Sequence, residues 1–419
     1  MAARFLVPLT FLVAAASCGR QNSLTLVIDN SPSMGDEIAQ VKEAAKSIVD
    51  TVLGEISSQI EDIVLVTFRN HGDKQNPSAI LRKKTRDERE LKQALDAITL
   101  DSAYCYEVAL SGIKKGLEES RQGSYMYVFT DTSSEDHNRF EEIKTMCQEK
   151  QIQINIIVTD ITCGLESEAG YQVYHKIATA CSGQVLRVEK GEVRNLMPVV
   201  RDTVKGDKNV VKVDNVPPSP HAWRDVKFNI DDQTEYAVVS ASGAGVDLQV
   251  YDPNNHKITG THMTWLSNVK VIKIGNLVPG TYTAKVKGNS QVSIMVYGRT
   301  DFKFQHGFST AVQTNMQATD TQPTTAVPTL LMVSVQDKKH SAVIREVALL
   351  NMRDQVIMKL PLTNVQGDIY KTNMFLSPED TFKIAVVGTS KSTGAEIKRV
   401  AKTPVTPYSQ WLHLYLNPR

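Results

Sequence analysis

The chain has 419 residues, of which 22% are charged, and a formal net charge of +1. That balance offers no electrostatic case for nucleic acid or an anionic membrane surface. The length exceeds a single ordinary core and calls for about two to four domains. Residues 1–18 read as a secretory signal peptide: Arg4, the apolar run Phe5 to Val13, then Ala14-Ala15-Ala16-Ser17. The run is too short to span a bilayer, and no later segment reaches the length a spanning helix needs. Secretion favours disulfides, so Cys105, Cys147, Cys163 and Cys181 are expected to pair, in any of three ways. No zinc-type Cys-x-x-Cys or His-x-x-x-His spacing exists.

From 22 to 206, apolar strand-like runs alternate with amphipathic helical patterns. The runs are Leu24–Ile28, Ile63–Phe68, Tyr125–Phe129, Ile154–Val158 and Val185–Val188. Helical periodicity covers Glu37–Leu53, Arg86–Ile98, Tyr106–Glu119, Phe140–Glu149, Ala169–Ala180 and Val193–Val204. This alternation predicts an α/β, doubly wound, mainly parallel sheet with helices on both faces. Ligands of such sheets bind at the carboxyl ends of the strands, near the switch in strand order. Arg82-Lys83-Lys84 is answered at once by Asp87, Glu88 and Glu90 and reads as a solvated approach to a helix.

Past Gly206 the texture changes. Pro217-Pro218-Ser219-Pro220 interrupts the chain, helical periodicity stops, and short strands with Gly, Asn and Pro turns follow. Residues 207–310 are expected to form a β-sandwich, 311–328 (rich in Thr, Gln, Ala and Pro) a linker, and 329–419 a second small sandwich, immunoglobulin- or fibronectin III-like.

The strand Leu24–Ile28 runs directly into Asp29-Asn30-Ser31-Pro32-Ser33. Asp-x-Ser-x-Ser puts one carboxylate and two hydroxyls at alternate positions on a strand-to-helix turn, a donor set suited to a hard divalent cation. These oxygens are too few to hold the ion alone. Asp131, just past Tyr125–Phe129, would share the same sheet edge, and the loop Leu100 to Glu107 precedes a helix and supplies a third contact. Asp101 or Ser102 could serve there through a water. His71 and His137 are isolated loop histidines with no nucleophile placed beside them.

Together these residues resemble the metal-ion-dependent adhesion site of von Willebrand factor A domains. Within that family Cys105-Tyr106-Glu107 is similar to a Pro-Glu variant of the middle loop, which gives Glu107 the role usually held by a threonine. The segments Gly123 to Asp131, Gly170 to Tyr174, Ser182 to Val185, Thr300-Asp301-Phe302 and Gly307-Phe308-Ser309 are similar to the amino-terminal region of hemicentins, extracellular matrix proteins. The resemblance implies a metal set of Asp29, Ser31, Ser33, Glu107 and Asp131, holding Mg2+ (or Mn2+/Ca2+). It also implies the disulfides Cys105–Cys163 and Cys147–Cys181. Asp36 and Glu37 stand where integrin β subunits hold a second cation, although acids in a helix's first turn also complement its dipole. Tyr104 departs from the acidic residue the family tends to have there.

The expected function is therefore non-enzymatic. The chain reads as a secreted extracellular matrix or cell adhesion protein that binds an acidic residue of an extracellular partner through the metal, with no nucleic acid and no transmembrane segment involved. The alternative is a secreted recognition module whose sandwiches bind protein or glycan on an A-domain scaffold. A metal-dependent hydrolase is the third reading.

Overall fold

A computed structural model describes residues 22–54, 60–70, 72, 78–101, 105–204, 208–337 and 341–409. The signal peptide expected over 1–18, Ser102, Tyr104 and His71 lie outside them. The first sheet has six strands: β1 (Asn22–Asp29), β2 (Ile60–Phe68), β3 (Ala79–Thr85), β4 (Tyr125–Thr132), β5 (Gln153–Cys163) and β6 (Val185–Val188). Their order is β3-β2-β1-β4-β5-β6, parallel except for β3. The helices are α1 (Ile38–Gly54), α2 (Glu88–Asp96), α3 (Ala109–Glu119), α4 (Phe140–Glu149), α5 (Ala169–Ala180) and α6 (Met197–Thr203).

The period of two in β1 divides the core. Leu24, Leu26 and Ile28 pack with Val41, Ile48, Leu91 and Val200 on the face covered by α1, α2 and α6. Val27, with Val64 and Val66, packs against α3, α4 and α5 on the other face. Strand order reverses between β1 and β4, so the carboxyl ends of these two strands, with Asp29 and Asp131, flank the crevice. The expected α/β doubly wound architecture is present, with two departures. Arg82-Lys83-Lys84 lies on the antiparallel edge strand β3, not on a helix approach. Charged side chains on an edge discourage further strand pairing, and here Lys83 also pairs with Glu90 at 3.0 Å. Helix α3 starts at Ala109 and not at Tyr106, because Glu107 is held extended in a bridge to Ser134.

The second unit comprises β7 (Lys208–Val216), β8 (Ser219–Ile230), β9 (Thr234–Ser242), β10 (Asp247–Tyr251), β11 (Thr261–Trp265), β12 (Val269–Ile274), β13 (Gly280–Gly288) and β14 (Val292–Thr300). They form sheets β10-β13-β8 and β11-β12-β9-β14-β7. The third unit has β15 (Phe302–Ser309), β16 (Leu330–Asp337), β17 (Ala342–Leu350), β18 (Val356–Pro361), β19 (Thr363–Gln366), β20 (Ile369–Lys371), β21 (Lys383–Ser390) and β22 (Glu396–Val400), in sheets β15-β16-β20-β19 and β18-β17-β21-β22. Both are all-antiparallel sandwiches. Strand β15 pairs with β16 from Phe302 opposite Asp337 to Ser309 opposite Leu330. The sheet pairing therefore separates the two sandwiches near Asp301, where 310 was expected. Residues 311–328 connect two neighbouring strands of one sheet, and Phe308–Asp320 and Thr324–Tyr408 pairings hold them there. Backbone hydrogen bonds order this stretch in place of the apolar burial it lacks.

The units are joined by packed surfaces. In β9, Ala237, Val239 and Ala241 face the sandwich core, while Tyr236 and Val238 join Tyr125, Tyr127 and Leu186 of the first domain. Strand β6 would be an open edge. Its backbone donors instead meet serine hydroxyls of the sandwich, with Arg187 N on Ser242 Oγ at 2.8 Å and Val185 N on Ser293 Oγ at 3.3 Å. Gln184 Nε2 donates to the carbonyls of Ser240 (3.2 Å) and Ser293 (2.8 Å). The buried Arg399 guanidinium pairs with Asp231 and donates to Thr300 Oγ1 at 3.0 Å, joining the sandwiches.

Lys402 returns from the third unit to the first. Its Nζ donates to the carbonyls of Gly123 (2.5 Å) and Ser124 (3.2 Å) and lies 3.7 Å from the Tyr125 ring centre. Burial, and then the nearby Lys303 charge, pushes its ammonium from the ordinary 10.5 down to about 7. The folded value lies below the unfolded one, so between them the unfolded chain binds the extra proton and stability rises with pH. Urea titrations at increasing pH above 7 should show the wild type gaining up to about 1.4 kcal/mol per pH unit from this group, and Lys402→Met gaining less.

Candidate metal-binding site

Asp29 ends β1 with its side chain fully buried. Its Oδ1 accepts from Ser31 N at 2.9 Å and its Oδ2 from Thr130 Oγ1 at 2.8 Å. Ser31 is extended, and Pro32 then opens the short turn Pro32–Asp36 that leads into α1. The turn brings Ser31 Oγ and Ser33 Oγ to 2.9 Å of each other, and Ser33 Oγ donates to Asp131 Oδ1 at 2.9 Å. The other oxygen of Asp131 accepts from Thr162 Oγ1 at 2.7 Å. The four residues predicted from two separate strand ends are thus in one hydrogen-bonded array.

Glu107 arrives on the third loop, also buried. One oxygen, Oε2, accepts from Asn70 N, and the other, Oε1, is buried without a hydrogen-bond partner. Its backbone is fixed by Glu135 N donating to Glu107 O at 2.8 Å. Asp136 clamps the same loops: its carboxylate accepts from Leu110 N (3.1 Å), Ser111 N (2.7 Å) and Ser134 Oγ (2.7 Å). It caps the first turn of α3 from outside the helix, where a negative charge is favoured. The Cys105–Cys163 disulfide (Cα–Cα 5.7 Å) ties the Glu107 loop to the end of β5, and Cys147–Cys181 joins α4 to the end of α5. Both pairs are those the resemblance implied.

Burial of the acids dominates the electrostatics, and their proximity adds to it. Desolvation, followed by the charge of Asp131, pushes Asp29 up to about 7 against the hydrogen bonds that favour its ionised form. Desolvation and then the Asp29 charge push Glu107 up to about 9. Asp131 is raised as well, mainly by burial. Hard oxygens, an orphaned buried carboxylate oxygen and three acids lacking enough positive charge fit a divalent cation. Among the described residues, no three His, Cys, Asp or Glu side chains form a metal cage by themselves. A cation here would need the hydroxyls of Ser31 and Ser33, and water, in its shell.

Other predicted residues go elsewhere. Glu37 is buried with Oε1 3.3 Å from Lys190 Nζ, and the exposed Asp36 lies 4.0 Å from the same ammonium. Lys190 therefore stands between the two acids considered for a second cation, and a fixed positive charge occupies that role. Asp101 pairs with Arg69, and His137 is exposed to solvent. Sequence reasoning missed Thr130, Thr162, Asn70, Asp136 and Lys190. Only Thr130, beside Asp131, and Thr162, beside Cys163, carried a positional hint.

A family model described as the von Willebrand factor A domain matches residues 23–190. The chain is 26% identical over 417 residues to hemicentin-1 of Mus musculus, covering 95% of this chain and 7% of that protein. It is 25% identical over 384 residues to hemicentin-1 of Homo sapiens, covering 88% and 7%. It spans only a small part of the length of these relatives. Among solved structures, it is similar to proximal thread matrix protein 1 from the mussel byssus with zinc occupied MIDAS motif (17% identity, TM-score 0.34, 45% of this chain and 46% of that chain).

Removing the outside cap tests how the loops are held. Asp136→Ala should lower unfolding free energy by about 1–2 kcal/mol, read by urea denaturation, and Asp136→Asn by less.

Proposed function

We propose that this chain, a von Willebrand factor A domain followed by two β-sandwiches and similar along its length to hemicentins, is a secreted extracellular matrix adhesion protein. In this reading Asp29, Ser31, Ser33, Glu107 and Asp131 hold one divalent cation, Mg2+ or its congeners Mn2+ and Ca2+. When bound, the cation offers a Lewis-acidic position to a carboxylate of a partner protein. The observation that carries the reading is the unpartnered buried Oε1 of Glu107 beside two further buried acids. Thr130, Thr162 and the amides of Ser31 and Asn70 orient the carboxylates in advance, so that little ordering is left for binding.

The rival readings have less support. The larger sheet of the second unit spends its outer face on the first domain, which weakens the case for it as the recognition surface. A hydrolase needs a base beside the metal, and the acids that could serve are the ones in the donor set.

Two measurements check the proposal. Capture of extracellular proteins on the purified chain should require magnesium and be abolished by EDTA or by Asp29→Ala; capture unchanged by both would defeat it. Without metal, Glu107→Gln should be more stable than wild type at neutral pH by about 1–2 kcal/mol, since it relieves desolvation and repulsion. In thermal melts it should gain less from added magnesium than wild type does.

A further inference from the structure

The first domain exposes few large apolar side chains, and they are not scattered. Among its described residues these are Leu100 (36% exposed), Tyr106 (41%) and Leu165 (64%). All three belong to the loops around the carboxylates. Leu100 follows Thr99, whose carbonyl accepts from Asn30 Nδ2 at 3.1 Å, and its Cδ1 comes within 3.7 Å of where a Cβ on Gly35 would lie. Tyr106 immediately precedes Glu107 and is held by Asn70 Nδ2 donating to its carbonyl at 2.9 Å. Leu165 lies three residues past Thr162, the donor to Asp131. The Cys105–Cys163 disulfide draws the loops of Tyr106 and Leu165 together. The opposite pole of the sheet is covered, with Lys402 on Gly123 and Ser124.

Isolated surface hydrophobics need no explanation, but a group gathered around one charged centre does. Solvation alone would favour polar residues beside a buried acid cluster. Apolar side chains next to a position that selects a carboxylate make a composite recognition surface, with an anion-directing centre and an apolar rim.

We infer that the partner presents its carboxylate on a short protein segment flanked by bulky aliphatic or aromatic side chains, which rest on Tyr106 and Leu165. This deepens the adhesion reading and depends on it. The centre sets orientation and the rim sets which acidic segments are accepted. An acid in a polar context meets the centre and leaves the rim wet. An apolar segment without an acid has nothing to neutralise the site.

The full chain tests this with two fluorescently labelled peptides, acetyl-Gly-Leu-Asp-Leu-Gly-amide and acetyl-Gly-Ser-Asp-Ser-Gly-amide, followed by polarisation in magnesium and in EDTA. Manganese binding, read by electron paramagnetic resonance, is measured separately. The leucine-flanked peptide should bind about tenfold more tightly in magnesium, and neither should bind in EDTA. In the double variant Tyr106→Ser, Leu165→Ser the two affinities should converge while manganese affinity is unchanged. Equal affinities in the wild type, a preference that survives the double variant, or a metal-loaded chain that binds neither peptide would each overturn the inference. A chain that binds no manganese would instead overturn the cation reading, and the inference with it.

Discussion

Three carboxylates buried at one edge of a sheet form the constraint around which the first domain is organised. Asp29, Glu107 and Asp131 all lose water, Asp29 and Glu107 also meet the charge of a neighbouring acid, and both effects favour the neutral form. The structure counters with oriented donors and not with cations in contact: Ser31 N and Thr130 on Asp29, Ser33 and Thr162 on Asp131, Asn70 N on Glu107. Donors of this kind hold the oxygens in place while leaving their charge uncompensated. The site is preorganised and electrostatically unfinished, which is the state a cation would complete. The Lys190 charge bears on Asp131, and Glu37 holds that ammonium beside α1.

The arrangement persists because the loops that carry it are tied to one another. The Asp136 carboxylate bridges the start of α3 to the segment after β4, and the Cys105–Cys163 bond attaches the Glu107 loop to β5. Below the site the strands belong to a larger core. Tyr127 and Leu186 share one apolar cluster with Tyr236, Val238 and Val271 of the second unit. Strand β6 is the last in its sheet, and serine hydroxyls of the neighbouring sandwich answer its amides.

Much of this could be read from residue order alone. Short apolar runs in the strands and period three to four between them specified the parallel sheet, because each strand must be buried on both faces. Asp29 through Ser33, at the end of the first such strand, located the site. Other features depend on tertiary context that local pattern does not encode. Ala79–Thr85 has only Ile80 and Leu81 as large apolar side chains, so an edge strand reads as a polar approach. The run from 311 to 328 has only Val312, Met316 and Val327 as larger apolar side chains and reads as a linker, although isolated backbone bridges hold it against the third unit. The signal for the domain junction was present in Tyr236 to Ala241: a sandwich strand apolar at consecutive positions must have a neighbour on each side. Asp136 and Lys190 act across loops, and nothing in their immediate sequence marks them.

The placement of Lys402 has a mechanical meaning. It grips the amino-terminal end of β4, the strand whose far end carries Asp131. Tension applied at the acidic loops would run lengthwise along β1 and β4, loading the hydrogen bonds between these parallel strands together in shear and not one at a time. At the base the force would divide between two anchorages, the sheet of the second sandwich and the clasp from the third. The third unit thus bears on the first domain directly and not only by way of the second.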